Sequence, residues 1–274
     1  MGTTKIFKST SKRDEIRARY GEFLAGMPFI KRYVSTEFGD TFVLEAGDPS
    51  AEPVVLLHGS CTNSAFWFNE IMALMPKYHV FAVDIIGEAG NSAEYRPDLK
   101  SEEFSQWLNE TLEKLGAKNV ILCGNSLGSW LALNYAVRYP NNVKELLLFA
   151  PAGLSKLNDV YLEKAEEATE KDESLAMADG AGMPQVIVDF INLILSGFNP
   201  ISEELPQYSR EEVERLKMPL LMAAGVEDDM LDAPGAAEYL RKYAPQAEIH
   251  LLEHTGHMIQ NAYAFILPFL EKQN

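Results

Sequence analysis

Short apolar runs alternate with longer amphipathic segments along most of this 274-residue chain. Continuous apolar runs are typical of strands that are covered on both faces, and the segments between them have helical spacing. The runs occupy residues 54–57, 80–83, 120–123, 146–149, 220–223 and 248–252. Parallel strands need a crossover connection, usually a helix, so the alternation predicts the α/β class with a mostly parallel sheet flanked by helices.

A hairpin and a leading helix are predicted ahead of these runs. Residues 30–37 and 41–46 alternate apolar and polar side chains around Gly39 and Asp40, which is typical of two antiparallel strands and a tight turn. With the six later runs they make a sheet of the eight-stranded type. Residues 11–25 have helical spacing, with Ser11 as the cap. Further helices are predicted at 64–75, 101–115, 127–138, 235–243 and 258–271.

One connection is longer than a single crossover requires. Between the sixth and seventh strands, residues 151–218 contain several helical stretches and no convincing strand. We therefore predict a core formed by residues 1–150 and 219–274, with a helical cap, or lid, inserted at 151–218.

Two kinds of helix are predicted within this cap. Residues 158–173 are highly charged, as expected for a solvated helix. Residues 184–196 are apolar nearly all round, with Pro184 at the first helical position. The apolar helix needs cover on most sides, so it is expected to lie between cap and core.

The charge balance excludes several classes of partner. Forty acidic and twenty-four basic side chains give a net charge of −16, which is unfavourable for binding a nucleic acid backbone. No apolar run approaches the roughly 18 to 20 residues of a membrane helix, and no secretory signal is recognisable. We predict a cytoplasmic protein that does not bind nucleic acid and does not span a membrane. Cys61 and Cys123 lack the spacing of a metal site, so no metal or other cofactor is expected.

The most specific motif is the sequence GNSLG at 124–128, between a predicted strand and a predicted helix. This is the G-x-S-x-G elbow in its required context, in which the serine sits on a tight turn above the sheet edge. Glycine on both sides lets the strand and the helix pass without a side-chain collision. Ser126 is therefore the candidate nucleophile, and it needs a base because an alcohol attacks poorly while it keeps its proton.

Acid and base candidates follow in the chain order that an elbow serine requires, namely serine, acid and histidine. Asp228, Asp229 and Asp232 come after the seventh strand, and His254 and His257 come after the eighth. Both groups lie beyond the carboxyl ends of strands, where an open α/β sheet collects its active-site loops. A carboxylate would hold the histidine in the correct tautomer and stabilise its protonated form.

At these motifs the chain resembles the α/β-hydrolase superfamily, from about residue 28 to its end. The motifs that carry the resemblance are HG at 58–59, the elbow at 124–128, the G-x-x-D turn at 225–228 and GH at 256–257. The resemblance implies the α/β-hydrolase fold, with the helical cap inserted after the sixth strand.

Within the superfamily the chain is most similar to small bacterial carboxylesterases with a helical cap. This finer likeness rests partly on DIIG at 84–87 and PA at 151–152. The loop DIIGEAGNS at 84–92 carries one residue more than the D-x-x-G-x-G-x-S pattern that is common in relatives.

The resemblance assigns roles to individual residues. It implies that Ser126 is the nucleophile, Asp228 the acid and His257 the general base, with Asp229 and His254 as the nearest alternatives. These assignments follow from the order and spacing of the family motifs.

The resemblance also implies an oxyanion hole made of backbone N–H groups. His58 is expected to brace the loop after the third strand, and Gly59 to let the backbone bend. The N–H groups of Ser60 and Leu127 would then stabilise the oxyanion.

Trp67, Trp130 and Met258 lie beside these landmarks and are candidates to contact substrate. The resemblance implies hydrolysis of small-molecule carboxylic esters through an acyl-enzyme on Ser126. Thioesterases, lactonases, carbon–carbon bond hydrolases and perhydrolases use the same constellation. A ligand receptor can also be built on this fold, so these alternatives stay open.

Overall fold

Eight strands form one sheet in the computed structural model, which describes residues 5–158, 161 and 183–273. In chain order the strands are β1 (Ile30–Thr36), β2 (Gly39–Ala46), β3 (Pro53–Leu57), β4 (His79–Val83), β5 (Val120–Asn125), β6 (Val143–Phe149), β7 (Leu220–Gly225) and β8 (Glu248–Leu252). Across the sheet their order is β1-β2-β4-β3-β5-β6-β7-β8. Strand β2 is antiparallel to β1 and to β4, and the other neighbouring pairs are parallel. The predicted eight-stranded, mostly parallel sheet is confirmed.

Helices cover both faces of this sheet. In chain order the described α-helices with complete bounds are α1 (Thr10–Ala25), α2 (Phe68–Leu74), α3 (Glu103–Leu115), α4 (Leu127–Arg138), α5 (Gln185–Gly197), α6 (Arg210–Val213), α7 (Ala233–Tyr243) and α8 (Tyr263–Gln273). Strand β3 illustrates the layering. Its Val55 and Leu57 pack in a core with α3, α4 and α7, whereas Val54 and Leu56 pack in a second core with α1, α2, α5 and α8. The result is the three-layer arrangement of the α/β-hydrolase fold.

Most predicted helices agree with the structure, and α4 has the predicted bounds of 127–138. The leading helix, however, is capped by Ser9 and not by Ser11, because Ser9 has an extended backbone and its hydroxyl accepts the N–H of Lys12 at 3.1 Å. The helix predicted at 258–271 begins only at Tyr263. Asn261 has a φ of 55°, which cannot be accommodated inside a right-handed helix.

The apolar helix predicted at 184–196 is α5, with Pro184 just before its first residue. It packs against α1. The buried Phe190 of α5 lies with its ring near those of Tyr20 and Phe23, which belong to α1, and near that of Phe66. The N-terminal helix therefore covers the part of α5 around Phe190, whereas Val186 near the start of α5 is exposed. None of the described helices is long and apolar enough to cross a membrane.

Most of the charged helix predicted at 158–173 lies outside the described residues. The division into a core of 1–150 and 219–274 and a cap of 151–218 therefore stays a prediction at this point. The long connection itself lies between β6 and β7, where it was expected.

Candidate active site

The candidate residues gather at one edge of the sheet. Strands β3, β5, β7 and β8 run parallel, so their carboxyl ends open on the same side. The loop that starts at His58 leaves β3, Ser126 follows β5, and Asp228 and His257 follow β7 and β8. This parallel topology brings together side chains that are far apart in the chain.

Ser126 occupies a strained turn between β5 and α4. Its φ of 52° and ψ of −113° are unusual for a residue with a side chain, and such a conformation costs about 1–3 kcal/mol. Its N–H donates to the carbonyl of Phe149 at 2.8 Å, which anchors the turn to β6. The flanking glycines are required, because a Cβ atom on Gly124 would lie 2.2 Å from the carbonyl oxygen of Gly128. A Cβ atom on Gly128 would lie 2.1 Å from the carbonyl oxygen of Leu57.

His257 links the serine to a carboxylate. Its Nε2 atom lies 2.9 Å from Oγ of Ser126, and its Nδ1 atom lies 2.8 Å from Oδ2 of Asp228. An ionised carboxylate only accepts hydrogen bonds, so Nδ1 carries the proton and Nε2 can accept the proton of the serine hydroxyl. The arrangement can therefore deprotonate Ser126 as it attacks.

Asp228 is held firmly from its own loop. It is buried, and its Oδ1 atom accepts the N–H groups of Met230 at 2.8 Å and Leu231 at 3.0 Å. The side chain of Asn158 donates to the carbonyl of Asp228 at 2.8 Å. Since the two backbone N–H groups occupy Oδ1, Oδ2 is directed at the imidazole.

Two of the alternative candidates, Asp232 and His254, make other contacts, as does His250, a further histidine on the last strand. Asp232 caps α7, where its Oδ1 atom accepts the N–H of Gly235 at 2.9 Å. The side chain of His254 is 90% exposed and pairs with Glu227. His250, on β8, pairs with Glu248. The contacts of these three residues account for them structurally.

His58 braces the loop after β3, as the resemblance implies. It is buried, and its Nε2 atom accepts the N–H of Ile85 at 3.0 Å, while Nδ1 donates to the carbonyl of Gly59 at 2.8 Å. Burial lowers the pKa of His58, which favours the neutral ring that this pattern needs. A Cβ atom on Gly59 would lie 3.5 Å from Cβ of Ser126, so the loop passes directly beside the elbow.

The three apolar candidates occupy different environments. Trp130 is buried in the core, where its Nε1 donates to the carbonyl of Pro206 at 2.9 Å and its ring packs on Phe104 and Tyr208, which accounts for it structurally. Trp67 is buried against the opposite face of the sheet, and its Nε1 has no hydrogen-bond partner among the described residues. Met258 is half-buried beside His257.

Sequence reasoning did not single out Glu88 or Asn158. The carboxylate of Glu88, in the loop after β4, accepts the backbone N–H of Cys61 at 3.1 Å. The sequence did contain a signal for Glu88, because this glutamate stands between Gly87 and Ala89 in a loop that carries one residue more than the family pattern. Asn158 has no comparable signal, because its contact with Asp228 depends on the fold of the long connection. Over the described ranges, no group of three or more histidine, cysteine or acidic side chains could hold a metal ion.

The sheet topology and the elbow define the class of this protein. The model of the α/β hydrolase fold family matches residues 52–192, slightly more than half of the chain. The chain belongs to this family, which confirms the resemblance drawn from the motifs.

Similar proteins include bacterial carboxylesterases. The chain is 27% identical over 243 residues to an uncharacterized carboxylesterase, nap, of Bacillus subtilis (strain 168), covering 83% of this chain and 80% of the relative. It is 27% identical over 248 residues to carboxylesterase YbfK of the same organism, covering 83% and 81%. The crystal structure of naproxen esterase (carboxylesterase NP) from Bacillus subtilis superposes with a TM-score of 0.82 at 25% identity, covering 96% of this chain and 99% of that chain. The chain is thus carboxylesterase-like in sequence and fold.

Proposed function

We propose that this protein is a serine hydrolase that cleaves carboxylic esters of small molecules. The observation that carries the proposal is the unbroken hydrogen-bond chain from Ser126 through His257 to Asp228. The similarity to proteins named carboxylesterases supports the ester as the substrate class.

The chain of hydrogen bonds accounts for both halves of the reaction. Oγ of Ser126 attacks the ester carbonyl carbon while Nε2 of His257 accepts the hydroxyl proton. The tetrahedral intermediate then expels the alcohol, which takes the proton from Nε2, and the acyl group remains on Ser126. Water attacks this acyl group with Nε2 again accepting and returning a proton, which releases the acid. Asp228 stabilises the imidazolium in each step.

Backbone N–H groups would stabilise the negative oxygen of the intermediate. Leu127 is the first residue of α4, so its N–H belongs to the helical turn that lacks intrahelical acceptors. Ser60 follows Gly59, which lies beside Ser126. We assign the oxyanion hole to the N–H groups of Ser60 and Leu127, and loss of one such donor typically slows kcat by about 10²–10³ fold.

We also propose that residues 151–218 form a cap over a core of 1–150 and 219–274. Hydrogen bonds between the two segments support this arrangement. The side chain of Asn158 donates to the carbonyl of Asp228 at 2.8 Å, and the hydroxyl of Tyr208 donates to the carbonyl of Trp130 at 2.7 Å. Burial raises the pKa of Tyr161, and Cys61 and Asp229 act in the same direction. Trp67 and Met258 are the candidates for the wall of the substrate pocket.

The nucleophile can be tested with p-nitrophenyl esters of increasing acyl length. Ser126→Ala should lower kcat by at least about 10³-fold, whereas Ser50→Ala, which changes an exposed loop serine, should leave it unchanged. A fluorophosphonate probe should label the wild type and Ser50→Ala, with Oγ of Ser126 displacing fluoride, and should not label Ser126→Ala. Activity that survives in Ser126→Ala would remove Ser126 as the nucleophile.

The substrate class needs a separate comparison. The wild type should hydrolyse at least one p-nitrophenyl ester faster than it hydrolyses a thioester of the same acyl group or a lactone, and faster than it forms a peracid. Labelling of Ser126 without turnover of any ester would keep the nucleophile and reject the esterase. The cytoplasmic location stays a prediction that fractionation of the native cells can test.

A further inference from the structure

A buried glutamate in the loop after β4 contacts the loop that is proposed to form the oxyanion hole. Glu88 is 3% exposed. Its Oε2 atom accepts the backbone N–H of Cys61 at 3.1 Å and lies 3.4 Å from Oγ of Ser60. The reaction steps above use no group of Glu88, so its presence in the interior needs another explanation.

The segment that Glu88 contacts has a strained backbone. Cys61 has a φ of 58°, which residues with a side chain adopt only when the surroundings impose it. The hydrogen bond to the N–H of Cys61 fixes the plane of the peptide that joins Ser60 to Cys61. The orientation of this peptide in turn restricts the direction of the preceding N–H, which belongs to Ser60.

Arg96 lies on the other side of the carboxylate, where Oε1 of Glu88 has no hydrogen-bond partner among the described residues. Its guanidinium lies 4.0 Å from Oε1 of Glu88 and donates to the carbonyls of Gly87 at 2.7 Å and Asn199 at 2.8 Å. Asn199 follows α5, so Arg96 connects the loop after β4 to the long connection. A buried carboxylate carries a large desolvation cost, which a neutral side chain of the same size would avoid. A purely structural role therefore gives no reason for a carboxylate at this position.

We propose that Glu88 is a positioning residue for the oxyanion hole, whose carboxylate fixes the Ser60–Cys61 peptide so that the N–H of Ser60 faces the carbonyl oxygen at Ser126. The inference rests on the proposed function, because it needs the oxyanion to form beside Ser126. Glu88 acts through the loop and does not touch the substrate.

The first test compares three variants in the full-length protein. Glu88→Gln keeps a neutral acceptor and should lower kcat for a p-nitrophenyl ester by about tenfold, while Glu88→Ala should lower it by about 10²-fold. KM should stay within about twofold in both, because the oxyanion hole acts mainly on the transition state. Glu145→Gln is the matched control: Glu145 is also a buried glutamate, but it lies on β6 at a distance from the elbow along that strand. It should keep the wild-type kcat.

An inhibitor that forms a tetrahedral adduct with Ser126 gives a second measurement, the inhibition constant, which a change in stability alone would not alter. Ser126 adds to the carbonyl of an alkyl trifluoromethyl ketone, its proton passes to His257, and the resulting hemiketal oxyanion occupies the oxyanion hole. The inhibition constant should rise in Glu88→Gln and Glu88→Ala by the factor by which kcat/KM falls. Product inhibition by the free acid should change by less than about twofold.

The pH profile provides a second readout. Burial raises the pKa of Glu88 to about 7, against the lowering effect of Arg96 and of the hydrogen bonds from Cys61 and Ser60. The other titratable groups on the facing loop are the Cys61 thiol, whose pKa burial raises to about 12, and His58, whose pKa burial lowers. Arg96 itself faces Glu203. Glu88 is therefore the group in this cluster that changes charge near neutrality. Protonated Glu88 resembles glutamine, so the ratio of wild-type kcat to that of Glu88→Gln should fall towards one as the pH drops from about 8 to about 6.

Wild-type kcat and wild-type inhibitor affinity in a folded Glu88→Gln would overturn the proposal. If that variant does not fold, Glu88→Asp serves the same comparison, because it keeps the charge but shortens the reach, and unchanged kinetics there would also overturn it. Failure of the proposed function is recognised separately, since the fluorophosphonate would then not label Ser126 in the wild type.

Discussion

Nε2 of His257 lies 2.9 Å from Oγ of Ser126, although the two residues are 131 positions apart in the chain. They lie in two different loops, one after β5 and one after β8. Their separation in sequence means that activity should respond to changes in the loops and in the packing that aims them.

Asp228→Asn should lower kcat by about 10⁴-fold. The N–H groups of Met230 and Leu231 hold an oxygen at the Oδ1 position, so the amide nitrogen of the introduced asparagine would face Nδ1 of His257. A donor there favours the tautomer with the proton on Nε2, which cannot accept the serine proton. Asp229→Asn, the control, leaves this pair intact and should change kcat by less than about threefold. The reverse ranking in steady-state kinetics would assign the acid to Asp229.

Gly128→Ala should abolish activity and destabilise the fold by about 3 kcal/mol or more. The added Cβ atom would lie 2.1 Å from the carbonyl oxygen of Leu57, so α4 would have to move away from β3. Gly21→Ala is the control, because no atom beyond the adjacent backbone of α1 lies within 4 Å of its Cβ position. It should stabilise the protein by about 0.5–1 kcal/mol in urea unfolding. Wild-type turnover by Gly128→Ala would contradict the tight elbow.

Tyr20→Phe should cost about 1–3 kcal/mol in the free energy of unfolding. The buried hydroxyl of Tyr20 donates to Oδ1 of Asp84 at 3.0 Å and lies 2.8 Å from Oγ of Ser64, which ties α1 to the loops after β3 and β4. Tyr33→Phe changes a hydroxyl on a residue that is 60% exposed and should cost less than about 0.5 kcal/mol. Equal effects of the two substitutions would show that the buried hydroxyl does not anchor α1.

Glu145→Gln should stabilise the protein more at about pH 8 than at about pH 5. Burial, opposed by Lys144 and assisted by Glu52, raises the pKa of Glu145 to about 7. Between its ordinary pKa and this raised value, the folded state binds more protons than the unfolded state, so the wild type loses stability as the pH rises. Glutamine removes this loss. The difference in the free energy of unfolding between variant and wild type should therefore grow by on the order of 2 kcal/mol from about pH 5 to about pH 8.

The measurement for Glu145→Gln is urea unfolding of both proteins at several pH values. His58 has a lowered pKa and contributes the opposite trend to each protein, so only the difference between them is diagnostic. A difference that is independent of pH would show that Glu145 ionises normally in the folded state.

Local periodicity predicted most of the fold. The strands and the bounds of α4 could be read from the chain, because burial on one or both faces leaves a repeating pattern of apolar residues. Helix ends were less predictable. Whether Ser9 or Ser11 caps α1 depends on the backbone conformation just before the helix, and the late start of α8 depends on the positive φ of Asn261.

The sequence by itself determined the mostly parallel α/β sheet and the order of the serine, acid and histidine candidates, because apolar periodicity and motif order can be read along the chain. The resemblance of its motifs implied the α/β-hydrolase fold. Only the tertiary structure decided that Asp228, and not Asp232, hydrogen-bonds to His257. It also decided that Glu88 lies buried against Cys61. Hydrogen-bond partners depend on separations of a few tenths of an ångström between loops far apart in the chain, and these exist only once the sheet has brought its strand ends together.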